Sequence, residues 1–239
     1  MSVGIEVHFG VAKIGKYATR ESGDTLEMIE RPHGGLSIVL ADGQRSGKSA
    51  KRISNVVVRK AVQLLAEGVR DGAVARAAHD YLYAYRGGKV SSTLNILSVD
   101  TRTRTIVVSR NNPAPVIVRT AVDGIYLLDE PSKGMGTNVN VKPVIQELPL
   151  QAGTTVVAFT DGLTHAGTIG GDGPLDPLDI TRQLLDSGQS DPQHIADTLV
   201  MQAIELDKGR PRDDISVVVI TVWPLFGDEV RRLSGRLPL

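Results

Sequence analysis

Four short stretches combine an acid with an apolar run in a way that could do chemistry. They are Ser22-Gly23-Asp24, Ser37 to Gly43 (Ser-Ile-Val-Leu-Ala-Asp-Gly), Val156 to Gly162 (Val-Val-Ala-Phe-Thr-Asp-Gly) and Asp213 to Ile220 (Asp-Asp-Ile-Ser-Val-Val-Val-Ile). A carboxylate at the end of a core strand is poorly hydrated and needs a partner, and a bound cation is a good one. Asp213-Asp214 adds two like charges at the start of a buried strand, which a cation or a basic group must offset. The four blocks therefore predict acids that converge on one metal centre.

Asp-Gly occurs five times, at Asp42, Asp71, Asp123, Asp161 and Asp172. Asp71, Asp123 and Asp172 read as ordinary turns. Asp42 and Asp161 differ because each follows a run of apolar residues. Ligands that are all carboxylates favour a hard ion, Mg²⁺ or Mn²⁺, over zinc. The five histidines (His8, His33, His79, His165, His194) form no paired zinc motif and read as surface or half-buried residues, with no role assigned to His165. A two-ion site suits hydrolysis of a phosphate ester by an activated water.

The elements that must carry these acids follow from periodicity. Val3 to Gly15 alternates as an opening strand, and Tyr17 to Asp24 is a loop delivering Asp24. A strand through Leu26, Met28 and Ile29 hairpins at Pro32-His33-Gly34-Gly35 into Leu36–Leu40. Ser46 opens a helix to about Glu67, and a second helix covers Ala73 to Arg86. Short strands follow at Thr93–Val99, Thr105–Ser109, Val116–Arg119, Gly124–Leu128, Val144–Leu148 and Thr155–Thr160. A Gly/Pro-rich loop spans Gly167 to Pro177. Helices at Leu178–Asp186 and Pro192–Asp207 precede a last strand, Ile215–Val222. Successive short strands with tight turns predict antiparallel sheet, and the order predicts an α+β fold with stacked sheets and helices outside.

Composition narrows the function further. The 239 residues carry 27 basic and 27 acidic side chains, so no global field draws nucleic acid or a membrane surface. Aromatic content of 4% leaves little for base stacking. No cysteine is present, which removes disulfides, cysteine-ligated zinc and a thiolate nucleophile together. With no apolar run near membrane-spanning length, the chain reads as soluble and cytoplasmic.

Together the blocks resemble the metal-dependent protein phosphatases of the protein phosphatase 2C (PP2C) type, and among them the bacterial sporulation and stress-response branch with its stand-alone stressosome phosphatase. The resemblance rests on Ser22-Gly23-Asp24, on Asp42-Gly43-x-x-Ser46-Gly47-x-x-Ala50, on Ser92-Thr93-Leu94 and on Asn111-Asn112-Pro113-Ala114-Pro115. It is completed by Phe159 to Thr164 and by Asp213-Asp214-Ile215-Ser216. It implies a four-layer αββα sandwich of two antiparallel sheets flanked by helices over residues 1–223, with 224–239 as a tail of unassigned structure. It also implies two Mn²⁺ or Mg²⁺ ions. Asp42 would bridge them, Gly43 would lend its carbonyl, and Asp161 and Asp213 would complete one shell. Asp24 would act through the outer shell or on a third, weaker ion, and Asp214, beside Asp213, is the less favoured metal ligand of that pair. Catalysis would run through a water activated between the ions, with Asp42, Asp161 and Asp213 acting through it.

The implied substrates are phosphoserine or phosphothreonine on a bacterial regulator, a stressosome scaffold or an anti-anti-sigma factor. Many relatives place a histidine just after the Asp-Gly pair to protonate the leaving oxygen, and this chain has Gln44. Arg45, Lys48, Lys51, Arg52, Arg59 and Lys60 form a basic run, of which Arg45 and Lys48 are candidates for substrate phosphate and the later members read as a solvated helix face. Arg20 is a further phosphate candidate. Two rival readings are an aspartyl-phosphate phosphatase of the haloacid dehalogenase type, suggested by Phe159 to Gly162, and a catalytically silent phosphatase fold that serves as a binding module.

Overall fold

The computed structural model describes residues 4–168 and 173–238. Ten strands and five helices follow in the order β1 (Ile5–Ile14), β2 (Asp24–Glu30), β3 (Leu36–Asp42), α1 (Gly47–Ala66), α2 (Asp71–Arg86), β4 (Leu94–Asp100), β5 (Thr105–Asn111), β6 (Val116–Thr120), β7 (Gly124–Leu128), β8 (Val144–Pro149), β9 (Thr155–Phe159), α3 (Gly162–His165), α4 (Pro177–Asp186), α5 (Pro192–Leu206) and β10 (Ile215–Pro224). They form two five-stranded sheets, β1-β10-β9-β6-β7 and β2-β3-β4-β5-β8, in which every strand pair is antiparallel. A haloacid dehalogenase scaffold needs a parallel sheet, so that reading falls.

Side chains on each central strand divide between two cores. Ile38 and Leu40 of β3, Val156 and Ala158 of β9, and Val218 and Ile220 of β10 meet between the sheets. Their neighbours point the other way. Val39 and Ala41 pack under α1 and α2 with Val57, Leu65 and Leu82. Val157, Phe159, Val217 and Val219 pack under α5 with Ile195 and Leu199. Both faces of each central strand are therefore covered, which is why these strands read as unbroken apolar runs rather than alternating ones. The result is the expected α+β architecture, four layers in the order αββα.

Helix boundaries follow their capping residues. Asp191 accepts from the backbone N–H groups of Gln193 and His194, and Asp176 does the same for Leu178 and Asp179, each ahead of a proline at the first helical position. Ser46 occupies the N-cap of α1, but its hydroxyl makes no capping hydrogen bond. The one-turn helix α3, directly after Asp161, was not expected. Residues 225–238 form no helix or strand.

The structure corrects three expectations. Asp71 is no surface turn: it is buried, opens α2, pairs with Arg31 at 2.8 Å and receives a short hydrogen bond from Ser98. His79 is fully buried, its Nδ1 accepting from Gly136 N at 3.1 Å. Lys51 leaves the helix surface, as its Nζ donates to the Asp24 carbonyl at 2.7 Å. Asp172, read as a turn, lies outside the described residues.

Candidate metal centre

The four acids reach one end of the sandwich because of how the strands run. Asp24 begins β2 and Asp42 ends β3, and the antiparallel register sets them directly opposite one another. In the other sheet Asp161 follows the end of β9 and Asp213-Asp214 precede β10, its antiparallel neighbour. Hydroxyls then stitch the two sheets together at Asp24: Ser216 Oγ donates to Asp24 Oδ2 at 2.6 Å and Thr160 Oγ1 donates to the same oxygen at 3.0 Å. Gly23 N donates to Asp214 Oδ2 at 2.8 Å and closes the seam.

Local packing sharpens the placement of Asp42. Ser92 Oγ donates to the Asp42 carbonyl at 2.6 Å, and Asp42 N donates to Thr93 Oγ1 at 3.2 Å. Gly43 bridges to Ser92, but the hydrogen bonds of that bridge run from Thr93 N to Asp42 O and from Gln44 N to Ser91 O. The Gly43 carbonyl takes no part in them. A β-carbon at residue 43 would collide with the carbonyl of Ala50 in α1, so only glycine lets the helix sit this close. Asn112 Nδ2 donates to Phe159 O at 3.2 Å and ties the Asn-Pro loop between β5 and β6 to the end of β9, just before Asp161.

Asp42, Asp161 and Asp213 line one open cleft of about 660 Å³, a size ordinary for a ligand site. Gln44, Arg45, Lys16 and Lys133 share its wall. Arg20 and Lys48 are both exposed and neither lines the cleft. Asp24 is fully buried behind it, and the two oxygens of Asp214 are engaged by the backbone N–H groups of Gly23 and Lys16, at 2.8 and 3.0 Å. One ligand atom each from Asp161, His165 and Asp213 lie within 4.8 Å of one another.

The electrostatics are those of anions in need of a cation. Burial, with repulsion from Asp24, Asp161 and Asp213, pushes the Asp42 carboxyl up to about 9. Burial likewise pushes Asp24 up to about 6, although hydrogen bonds from Ser216 and Thr160 oppose the shift. Burial also raises Asp213. Asp24 and Asp42 oppose one another in the β2–β3 register and their carboxyls repel, and Asp24 Oδ1 is buried with no hydrogen-bond partner. An orphaned carboxylate oxygen among oxygen donors fits a hard divalent cation. Behind Asp24, Lys13 Nζ and Lys51 Nζ both donate to its carbonyl, at 2.6 and 2.7 Å. Two ammonium groups there offset part of the negative charge.

Residues 32–223 match the family model of stage II sporulation protein E (SpoIIE). The chain belongs to the SpoIIE family. Its fold is that of the PP2C-type phosphatase domains to which it is similar. Stage II sporulation protein E of Priestia megaterium is 22% identical over 217 residues, which cover 89% of this chain and 36% of that protein. The chain thus spans about a third of that curated relative. The PP2C phosphatase domain of SpoIIE from Bacillus subtilis, solved with a fragment of its regulatory domain, superposes with a TM-score of 0.77 at 20% identity, covering 95% of this chain and 66% of that one. RsbX in complex with magnesium superposes at 0.69 and 16% identity, over 92% of this chain and 99% of that one. These structures share the fold of this SpoIIE-family chain.

Sequence reasoning missed several residues at this site. Lys16 and Lys133 line the cleft, and both come from loops with no motif of their own. Thr160 and Ser216 had a signal, since Thr160 directly precedes Asp161 and Ser216 lies two residues after Asp214. His165 had one too: it lies four residues after Asp161, which on a helical turn places both on one face.

Proposed function

We propose that this chain is a metal-dependent protein phosphatase that hydrolyses phosphoserine or phosphothreonine on a bacterial stress or sigma-factor regulatory protein. The unit responsible is residues 1–223, a span that contains the whole family match. One observation carries the reading. Acids from both sheets meet at one end of the sandwich, held by hydrogen bonds from Ser216 and Thr160 to Asp24, and the deepest of them keeps an unpartnered oxygen.

Asp42, Asp161, Asp213 and the Gly43 carbonyl would hold two divalent ions, Mn²⁺ or Mg²⁺, with Asp24 behind them in an outer shell or on a third, weaker ion. RsbX, which shares the fold, was solved with magnesium, and this supports the choice of ion class. Bound ions of this kind lower the pKa of water and screen charge on a phosphoryl group. The chain's own residues supply the rest. Asp214 positions Gly23, and through it Asp24, rather than facing the cleft. Arg45, Lys16 and Lys133 surround the mouth with positive charge suited to a phosphoryl group. Gln44 Oε1 accepts from Ser91 N at 3.2 Å, so the side chain braces the cleft, and an amide is too weak an acid to protonate a leaving oxygen. The leaving serine oxygen takes its proton from solvent in the open cleft. The partners this implies are a stressosome scaffold or an anti-anti-sigma factor; nucleic acid and membrane are not among them. No helix among the described residues is long and apolar enough to cross a membrane, which accords with a cytoplasmic place of action.

Hydrolysis of an aryl phosphate by wild type and Asp42→Asn, after chelation and again with added Mn²⁺, tests the reading. Activity restored by Mn²⁺ in wild type alone supports it. Equal activity in both proteins, or activity that persists in chelator, rejects it. Ion binding without turnover favours the silent binding module, which the glutamine at position 44 would explain.

A further inference from the structure

The His165 side chain sits in the same cluster as two of the acids. Asp161 is the N-cap of the single-turn helix α3 and His165 closes that turn, its N–H donating to the Asp161 carbonyl at 3.0 Å. Spacing of four residues stacks the two side chains on one face. Asp213 approaches from the start of β10, and ligand atoms of all three lie within 4.8 Å of one another. Ligand bonds of roughly 2.1 Å put two donors on one ion at most about 4.2 Å apart, close to the 4.8 Å within which these three lie. A second observation points to a cation at this end of the sandwich. Asp24 Oδ1 is buried without a partner, and Asp24 stands opposite Asp42 in the strand register, the acid that shares the cleft with Asp161 and Asp213.

We infer that His165 is a ligand of the ion held by Asp161 and Asp213, and that it gives this site a preference for first-row transition ions such as Mn²⁺ over Mg²⁺. The inference rests on the metal-centre reading above and adds to it a nitrogen donor. A set made only of carboxylates, carbonyls and water suits Mg²⁺, which takes oxygen ligands and keeps its waters. Imidazole is a softer donor, and replacing one oxygen by a ring nitrogen shifts affinity toward transition ions. The helix supports the role sterically. Thr164 Oγ1 donates to the Asp161 carbonyl at 3.0 Å and Thr168 Oγ1 to the His165 carbonyl at 2.8 Å, so both ends of the turn are fixed while the imidazole stays free at the surface.

Calorimetric titration of the full chain with Mn²⁺ and with Mg²⁺, for wild type, His165→Ala and His165→Asp, tests this, together with pulsed EPR of the Mn²⁺-loaded proteins. The expected result is a ¹⁴N coupling to Mn²⁺ in wild type that both variants lose. His165→Ala weakens Mn²⁺ about tenfold and Mg²⁺ less than about threefold, the scale on which residues around a metal act. His165→Asp narrows the Mn²⁺ preference while still binding both ions. A wild-type protein that binds Mn²⁺ with no ¹⁴N coupling, or a His165→Ala protein with unchanged selectivity, overturns the inference and leaves the metal centre standing. Failure of wild type to bind either ion overturns both.

Discussion

Asp214 Oδ2 accepts a hydrogen bond from Gly23 N at 2.8 Å, joining residues 191 positions apart in the chain. This contact separates the two adjacent acids of the Asp213-Asp214 pair. Asp214 is a buried anchor for the backbone at Gly23 and Lys16, whereas Asp213 lines the cleft. Asp213→Asn is therefore expected to weaken metal binding at least about tenfold while the fold holds. Asp214→Ala leaves the buried Gly23 N–H and the part-buried Lys16 N–H without partners and is expected to cost about 1–3 kcal/mol of stability. Denaturant unfolding in chelator and metal titration, run on both variants, read the two effects separately.

A second expectation concerns pH. In the metal-free protein Asp24 titrates near 6 and Asp42 near 9, both above the ordinary 3.8. A raised carboxyl pKa means that the folded state holds more protons than the unfolded one between those values. Stability is then greatest below the unfolded pKa and falls as pH rises through 6 and toward 9. The midpoint of thermal unfolding in chelator should drop across that window. Asp42→Asn should flatten the decline, and added Mn²⁺ should reverse it with release of protons.

The Asp-Gly pairs offer an internal control. Gly124 follows Asp123 in a turn with φ of 72° and open space where a side chain would go, so Gly124→Ala meets only backbone strain of about 1 kcal/mol. Gly43 is not in the left-handed region, and its constraint is the carbonyl of Ala50. Gly43→Ala must push α1 away from Asp42. We expect a loss of at least about 3 kcal/mol and loss of metal binding in whatever fraction remains folded, measured by unfolding and by calorimetry.

Among the basic residues near the cleft, position decides the outcome. Arg45 lines the wall with Asp42, while Lys48 and Arg20 point elsewhere on the surface. Arg45→Ala is expected to raise KM for a phosphoprotein about tenfold, the loss of one charge-assisted contact to phosphate. Lys48→Ala and Arg20→Ala should stay within about twofold. Steady-state kinetics on one phosphoprotein substrate compares the three, and a larger effect at Lys48 than at Arg45 would contradict the geometry.

Much of this architecture was legible in the chain itself. Apolar runs ending in acids, Asp-Pro before α5 and glycine breaks between helices carry strong local signals, because they come from burial, capping and backbone sterics that act within a few residues. The α+β class follows from such signals, while the αββα layering came from the resemblance that the four acidic blocks carry.

Other features belong to tertiary structure alone. Pairing of Asp24 with Asp42 depends on strand register, and the separation of Asp213 from Asp214 depends on a loop 191 residues away. Lys51 sits within a basic run that looks like a solvated face, yet its ammonium turns inward because the Asp24 carbonyl lies beneath it. Asp71 looks like any turn aspartate until Arg31 and Ser98 are brought against it. Sequence alone determined which residues are acidic, apolar or conformationally free, since those are properties of the residue and its neighbours along the chain. Which acids face one cleft, which brace the backbone and which histidine lies beside them is decided by contacts between distant segments, and only packing of the two sheets brings those within reach.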